Sequence, residues 1–128
     1  MDFSENIKRD VWNKGNIVEK YPKEKVRKDA CGAWILWDDF GKRDSPFGWE
    51  IDHIFPEALL KVHNVADNLS NSIDNLRPLH WKNNQAKGTS YPIYKAAVKG
   101  VGDHNEDYIQ TFEINAKTQE IIKALFHL

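Results

Sequence analysis

At 128 residues with a net charge of −1, the chain is long enough for one compact domain with its own core and needs no disulfide support. No apolar run reaches the ~18 residues a bilayer crossing requires, the N-terminus lacks the basic start and apolar middle of a signal peptide, and a single cysteine, Cys31, excludes an intrachain disulfide. These features predict a soluble cytoplasmic protein in a reducing compartment.

Ser4 is placed to cap a first helix running to about Trp12, with Phe3, Ile7 and Val11 at helical spacing. Asn13 to Asn16 ends it, Tyr21-Pro22 makes a turn, and Lys23 to Lys28 is a short basic segment. Ala33 to Trp37 is apolar and β-prone, so a strand is expected. A polar loop over Asp38 to Gly48 leads to a second strand from Trp49 to Ile54, closed by Pro56. Pro56 to Val62 reads as a short helix and Asn64 to Asn71 as a loop. Asn75 to Pro78 reads as a short strand, and His80 to Lys87 as a helix stopped by Gly88. Tyr94 to Val101 is strand-like. The tail reads as a hairpin pairing Tyr108–Asn115 with Gln119–Leu125; it also fits a helix, because Ile121 and Leu125, like Ile122 and Phe126, are four apart. The expected fold is a small α+β domain.

Charge is uneven along this order. Residues 75–102 carry five basic side chains (Arg77, Lys82, Lys87, Lys95, Lys99) and no acid, and residues 20–28 carry five against one. Residues 29–74 carry nine acids against three bases. A cationic segment in an otherwise acidic chain suits a polyanion such as nucleic acid, although such unevenness also arises on surfaces with no partner.

Two stretches carry chemistry: Trp49-Glu50-Ile51-Asp52-His53-Ile54-Phe55-Pro56, and Ile73-Asp74-Asn75-Leu76-Arg77-Pro78-Leu79-His80-Trp81-Lys82-Asn83-Asn84-Gln85-Ala86-Lys87. Phosphodiester hydrolysis needs a base for water, stabilisation of charge on the phosphate and leaving oxygen, and alignment. A histidine titrates near working pH. Mg²⁺ is held by one or two hard protein oxygens, and Asp52 and the Asn84 side-chain oxygen are of that kind. Adjacent strand residues point to opposite faces, so Asp52 and His53 can serve one site only if the chain bends or the site wraps the strand end.

Asp-His-x-x-Pro, Asn-Leu and Asn-x-x-Lys in this order resemble the active site of the HNH endonucleases, the ββα-metal (His-Me finger) nucleases, over about residues 49–87. The resemblance implies a motif on two strands and a helix, embedded here in one domain, 1–128. An N-terminal extension (1–30), additional short helices and the C-terminal β-hairpin, or a helix in its place, over 91–128 complete it. It implies His53 as general base, Asp52 as metal ligand, Asn75 orienting the imidazole through backbone contacts, and Asn84 completing the metal site. Lys87 falls where the family often has a basic residue; with Arg77 and Lys82 it is a candidate contact to phosphate. The implied activity is metal-dependent cleavage of nucleic acid, with DNA favoured over RNA but not read from the sequence, leaving 5′-phosphate and 3′-hydroxyl ends. One divalent ion (Mg²⁺, or Mn²⁺ or Ni²⁺) is implied, with a protein partner as a possible source of sequence specificity. The alternatives are a nucleic-acid-binding module on the same scaffold with little or no hydrolysis, and a protein-interaction domain.

Two departures stand out. Many relatives carry two Cys-x-x-Cys pairs on a structural zinc. Here Cys31 stands alone and His80-Trp81-Lys82-Asn83 replaces the second pair, so no structural zinc is expected and Trp34 and Trp81 are expected to pack the region instead. The 57–74 connection lacks a Gly-rich turn and carries Leu59, Leu60 and Val62.

Overall fold

A computed structural model describes residues 3–65 and 69–128. The first helix, α1 (Glu5–Trp12), is capped by the Ser4 side chain, which accepts from the Ile7 amide, and buries Val11 and Trp12. Three short strands follow, β1 (Asn16–Ile17), β2 (Val26–Lys28) and β3 (Trp34–Leu36), paired antiparallel in that order. The basic segment is therefore partly structural. Arg27 is buried on β2, and its guanidinium donates to the carbonyls of Asn13, Gly15 and Lys23.

The centre of the fold is a strand–strand–helix unit. β4 (Trp49–His53) pairs antiparallel with β5 (Leu76–His80), with Asp52 opposite Arg77 and His53 opposite Leu76. α3 (Trp81–Lys87) follows β5 directly. Its start is one residue later than the sequence suggests because His80 is the cap, its Nδ1 accepting from the Lys82 amide. Gly88, at φ +53°, ends the helix. Between β4 and β5 lies α2 (Glu57–Val62), which buries Leu60 and leaves Val62 exposed. The loop expected over residues 64–71 falls partly on 66–68, outside the described residues.

The C-terminal region departs from the favoured expectation. Tyr108–Asn115 does not pair with Gln119–Leu125. β6 (Ile93–Val101) pairs with β7 (His104–Glu113) around Gly102 at φ +60°, and the tail is the helix α4 (Ala116–Phe126). The Asn115 side chain caps α4 by accepting from the Thr118 amide, and Ile122 and Phe126, one helical turn apart, enter the core. A strand would send these even-numbered residues to the same face too; the cap and the absence of a turn residue with positive φ over 116–118 decide for helix.

The described residues thus form an α+β domain of four α-helices and three small antiparallel sheets. One apolar cluster joins Val11, Trp12, Ile35, Trp49 and Leu76, and a larger one joins Ile54, Phe55, Leu60, Leu79, Tyr94, Ile122 and Phe126. Both draw residues from the central unit, which fixes its place. Among the described residues no helix is long and apolar enough to cross a membrane.

Cys31 and Tyr94 meet in this core, with Sγ and Oη 3.7 Å apart. Burial pushes the Cys31 thiol from 9.0 to about 12, helped by the nearby Asp29 carboxylate, and pushes the Tyr94 phenol from 10.0 to about 12. Both folded values lie above the unfolded ones, so their stabilising contribution is complete below pH 9 and is lost as pH rises from 9 toward 12. The midpoint of urea unfolding is expected to fall from about pH 9 upward, and less steeply in Cys31→Ser.

Candidate active site at the end of strand β4

Glu50 and Asp52 are two apart on β4 and so share a face, the one that meets α3. Asp52 is 3% exposed. Its Oδ2 accepts from Arg77 Nε at 2.9 Å across the strand pair, and its Oδ1 lies 3.3 Å from Lys87 Nζ, which arrives from the last turn of α3. Lys87 is fully buried and also donates to the His53 carbonyl at 3.1 Å. Burial lowers its pKa and the Asp52 charge opposes that shift. Burial also acts to lower the Arg77 pKa, but Asp52 and the Tyr94 phenol together outweigh it and the net direction is upward. The Arg77 guanidinium lies over the Tyr94 ring at 4.9 Å. Of the three cations expected to face phosphate, two are therefore turned inward onto the carboxylate. Lys82 remains at the surface, 3.5 Å from Asp107.

Removing one partner of a buried ion pair leaves an uncompensated charge, at a cost of about 3–5 kcal/mol. Lys87→Met is expected near the lower end, ~3 kcal/mol, because Arg77 still holds Asp52; the drop in the urea midpoint measures it.

His53 is the last residue of β4 and faces away from Asp52 along the strand. Its side chain is 22% exposed, with the Phe3 ring centroid 6.4 Å away. The strand ends here, so the site wraps its tip. Asp52, His53 and Asn84 all line one cavity of about 490 Å³, with Phe3, Pro56, Glu57 and Thr89 among the other walls. All three residues border this cavity, while the Asp52 carboxylate itself is held by Arg77 and Lys87.

Asn75 fixes the backbone just beyond. It is fully buried; its Oδ1 accepts from the Phe55 amide at 2.8 Å, and its Nδ2 donates to the carbonyls of Phe55 at 3.1 Å and Ser70 at 2.9 Å. Its own carbonyl accepts from the Ile54 amide at 2.8 Å. The two residues after His53 are thus clamped to the segment entering β5.

Asn84, mid-α3, donates its Nδ2 to Glu50 Oε1 at 3.0 Å. Arg43 grips the same carboxylate at 2.7 and 3.0 Å. Burial acts to raise the Glu50 pKa, but the hydrogen bonds from Arg43 and Asn84 outweigh it, so Glu50 stays ionised. The Asn84 carbonyl oxygen is thereby directed away from the Glu50 contact. A hard divalent ion is commonly held by one or two protein oxygens plus water and phosphate. Asp52 and Asn84 carry the oxygen types such an ion takes, but both Asp52 oxygens are engaged by Arg77 and Lys87, contacts an ion would have to displace.

Sequence reasoning missed several residues around this site. Glu50 was detectable from its i, i+2 relation to Asp52. Glu57 and Asn71, both against His53 Nε2 at 3.4 and 2.7 Å, come from separate elements and leave no local signal. Asp29 is the largest omission. Fully buried, it accepts at Oδ1 from the amides of Cys31 and Ala33, and at Oδ2 from the His80 amide and Asn83 Nδ2, all at 2.9–3.0 Å. Asn83 Oδ1 in turn accepts from the amides of Ala97 and Val98. This carboxylate tie acts beside the expected aromatic packing. Trp34 and Trp81 do pack, donating to Gly102 and Ser45 carbonyls, but the turn at Cys31 is joined to the start of α3 by the Asp29 carboxylate. Both His80 nitrogens are engaged, Nδ1 by Lys82 and Nε2 by the Pro46 carbonyl at 2.9 Å. Among the described residues, no three of His, Cys, Asp and Glu converge as a metal site.

A second cavity, of about 530 Å³, is lined by Lys14, Asp74, Arg77, Glu113 and Asn115. It contains neither His53 nor Asn84, so the smaller cavity is the one that gathers the candidate chemistry.

Comparison of the chain with protein-family models, with curated proteins and with solved structures found no match.

Proposed function

We propose that this chain is a metal-dependent endonuclease of the HNH type, cutting phosphodiester bonds of nucleic acid, with DNA as the favoured substrate. The observation that carries the reading is the meeting of Asp52, His53 and Asn84 on one cavity wall, with Asn75 clamping the backbone that follows His53. The strand–strand–helix order of β4, β5 and α3 supports it.

On this reading His53 takes the proton from the attacking water. Asp52 and Asn84 would hold a divalent cation, Mg²⁺ first and Mn²⁺ or Ni²⁺ as substitutes, which supplies charge stabilisation at the phosphate and the departing 3′ oxygen when bound. Asn75 keeps the turn after His53 in one conformation, so the imidazole needs no rearrangement to act. Glu50, braced by Arg43, fixes the Asn84 amide. Lys87 and Arg77 hold Asp52 in place, and their charges offset part of its own. Phosphate contact then falls to exposed cations such as Lys82, and specificity to loops or a partner protein.

The test is nicking of supercoiled plasmid with Mg²⁺, Mn²⁺ or Ni²⁺, alone and with chelator. Nicking that appears with the metal and stops with chelator is expected; chelator-insensitive cutting would remove the metal from the proposal. One observation favours a second reading, a binding module with little hydrolysis: both Asp52 oxygens already face cations. That reading predicts a salt-dependent shift of DNA in a gel with no cleavage under any metal.

A further inference from the structure

Two acceptors from different elements converge on one nitrogen of His53. Asn71 Oδ1 lies 2.7 Å from Nε2, and Glu57 Oε1, from the first turn of α2, lies 3.4 Å from the same atom. A neutral imidazole carries its proton on one nitrogen and a lone pair on the other. A lone pair on Nε2 would face a carboxylate and an amide oxygen together, an arrangement that is repulsive on both counts. A proton there satisfies both. Turning the Asn71 amide over would present its NH₂ to Nε2, but Glu57 would still favour the N–H at that nitrogen.

We propose that Asn71 is the positioning residue for His53: with Glu57 beside it, it holds the proton on Nε2 and leaves the Nδ1 lone pair as the basic nitrogen. The catalytic meaning rests on the endonuclease reading; the tautomer does not. The resemblance supplies Asn75 for orientation, and the structure divides that work. Asn75 fixes the backbone after His53, and Asn71 fixes the ring itself. Lys87, whose ammonium reaches the His53 carbonyl, holds the backbone rather than the ring, and Asp52 points to the opposite face with Arg77.

The deciding measurement is a long-range ¹H–¹⁵N correlation spectrum of the uniformly labelled wild-type chain, followed at rising pH until the ring nitrogens of His53 separate into pyrrole- and pyridine-type signals. The His53 signals are assigned by their loss in His53→Ala. A pyrrole-type shift on Nε2 and a pyridine-type shift on Nδ1 are expected. In Asn71→Ala/Glu57→Ala the two shifts should move toward each other as the tautomers mix. A pyridine-type Nε2 in the wild type, or shifts unchanged in the double variant, overturns the proposal. In the nicking assay, Asn71→Ala is expected to lower kcat by on the order of 10-fold with KM unchanged; a change in KM alone overturns the positioning role. A wild type that holds the Nε2 proton yet cuts nothing supports the tautomer assignment and defeats the endonuclease reading, so the two failures are distinguishable.

Discussion

Replacement of His53 by alanine is expected to lower plasmid nicking by on the order of 10²–10⁴-fold, the usual cost of removing a general base, while leaving the chain folded. The second half of this expectation is as important as the first. His53 is partly exposed at the tip of β4, outside both apolar clusters, and the backbone around it is held by other groups. Asn75 clamps residues 54 and 55, and Lys87 holds the His53 carbonyl. Loss of the imidazole therefore removes few packing contacts, and the change in unfolding free energy is expected to stay within ~1 kcal/mol. A circular-dichroism melt alongside the nicking assay separates chemistry from folding. Undiminished cutting by His53→Ala would reassign the base, and Glu57, on the same cavity wall, would be the next residue to test.

The largest expected effect on stability is at Asp29. Asp29→Ala leaves four donors without their acceptor: the amides of Cys31, Ala33 and His80, and the Asn83 side chain. Each buried, unsatisfied donor costs about 1–3 kcal/mol, and even the lower end totals ~4 kcal/mol, a large share of the ~5–15 kcal/mol that stabilises a domain of this kind. The damage also spreads. Asn83 tethers the amides of Ala97 and Val98 on β6, so loosening it unpins β6 from α3, and α3 carries Asn84 and Lys87 to the site. Asp29→Asn should lie between the two, because its amide NH₂ cannot accept where Oδ1 or Oδ2 did. Urea unfolding of wild type, Asp29→Asn and Asp29→Ala should give midpoints in that falling order. Equal midpoints for wild type and Asp29→Ala would show that the carboxylate does not tie the Cys31 turn to the start of α3.

The lesson about sequence and structure lies in these same residues. The candidate site residues were legible because their signals are local: an Asp-His pair before a proline, an Asn ahead of a strand, an Asn and a Lys on one short helix. The elements beneath it followed from patterns of the same range, such as the Ser4 cap and the Gly88 stop. The short strands β1 and β2 gave no such signal, and the tail was read the other way, because a four-residue apolar spacing is compatible with either period and the deciding cap at Asn115 is a single side chain.

What the sequence could not disclose is which charges are free. Arg77 and Lys87 stand in an acid-free stretch of chain, and from composition they read as a surface for phosphate. Tertiary pairing brings β4 against β5 and α3, so both cations meet Asp52 from distant positions, Lys87 fully buried and Arg77 largely covered. The same holds for Asp29, a lone acid in sequence that becomes a four-fold acceptor only when the Cys31 turn, β5 and α3 are packed together. Local order fixed which groups the chain carries and on what elements; long-range packing, through burial that makes every unpaired charge and donor costly, decided which of them hold the fold and which remain for chemistry.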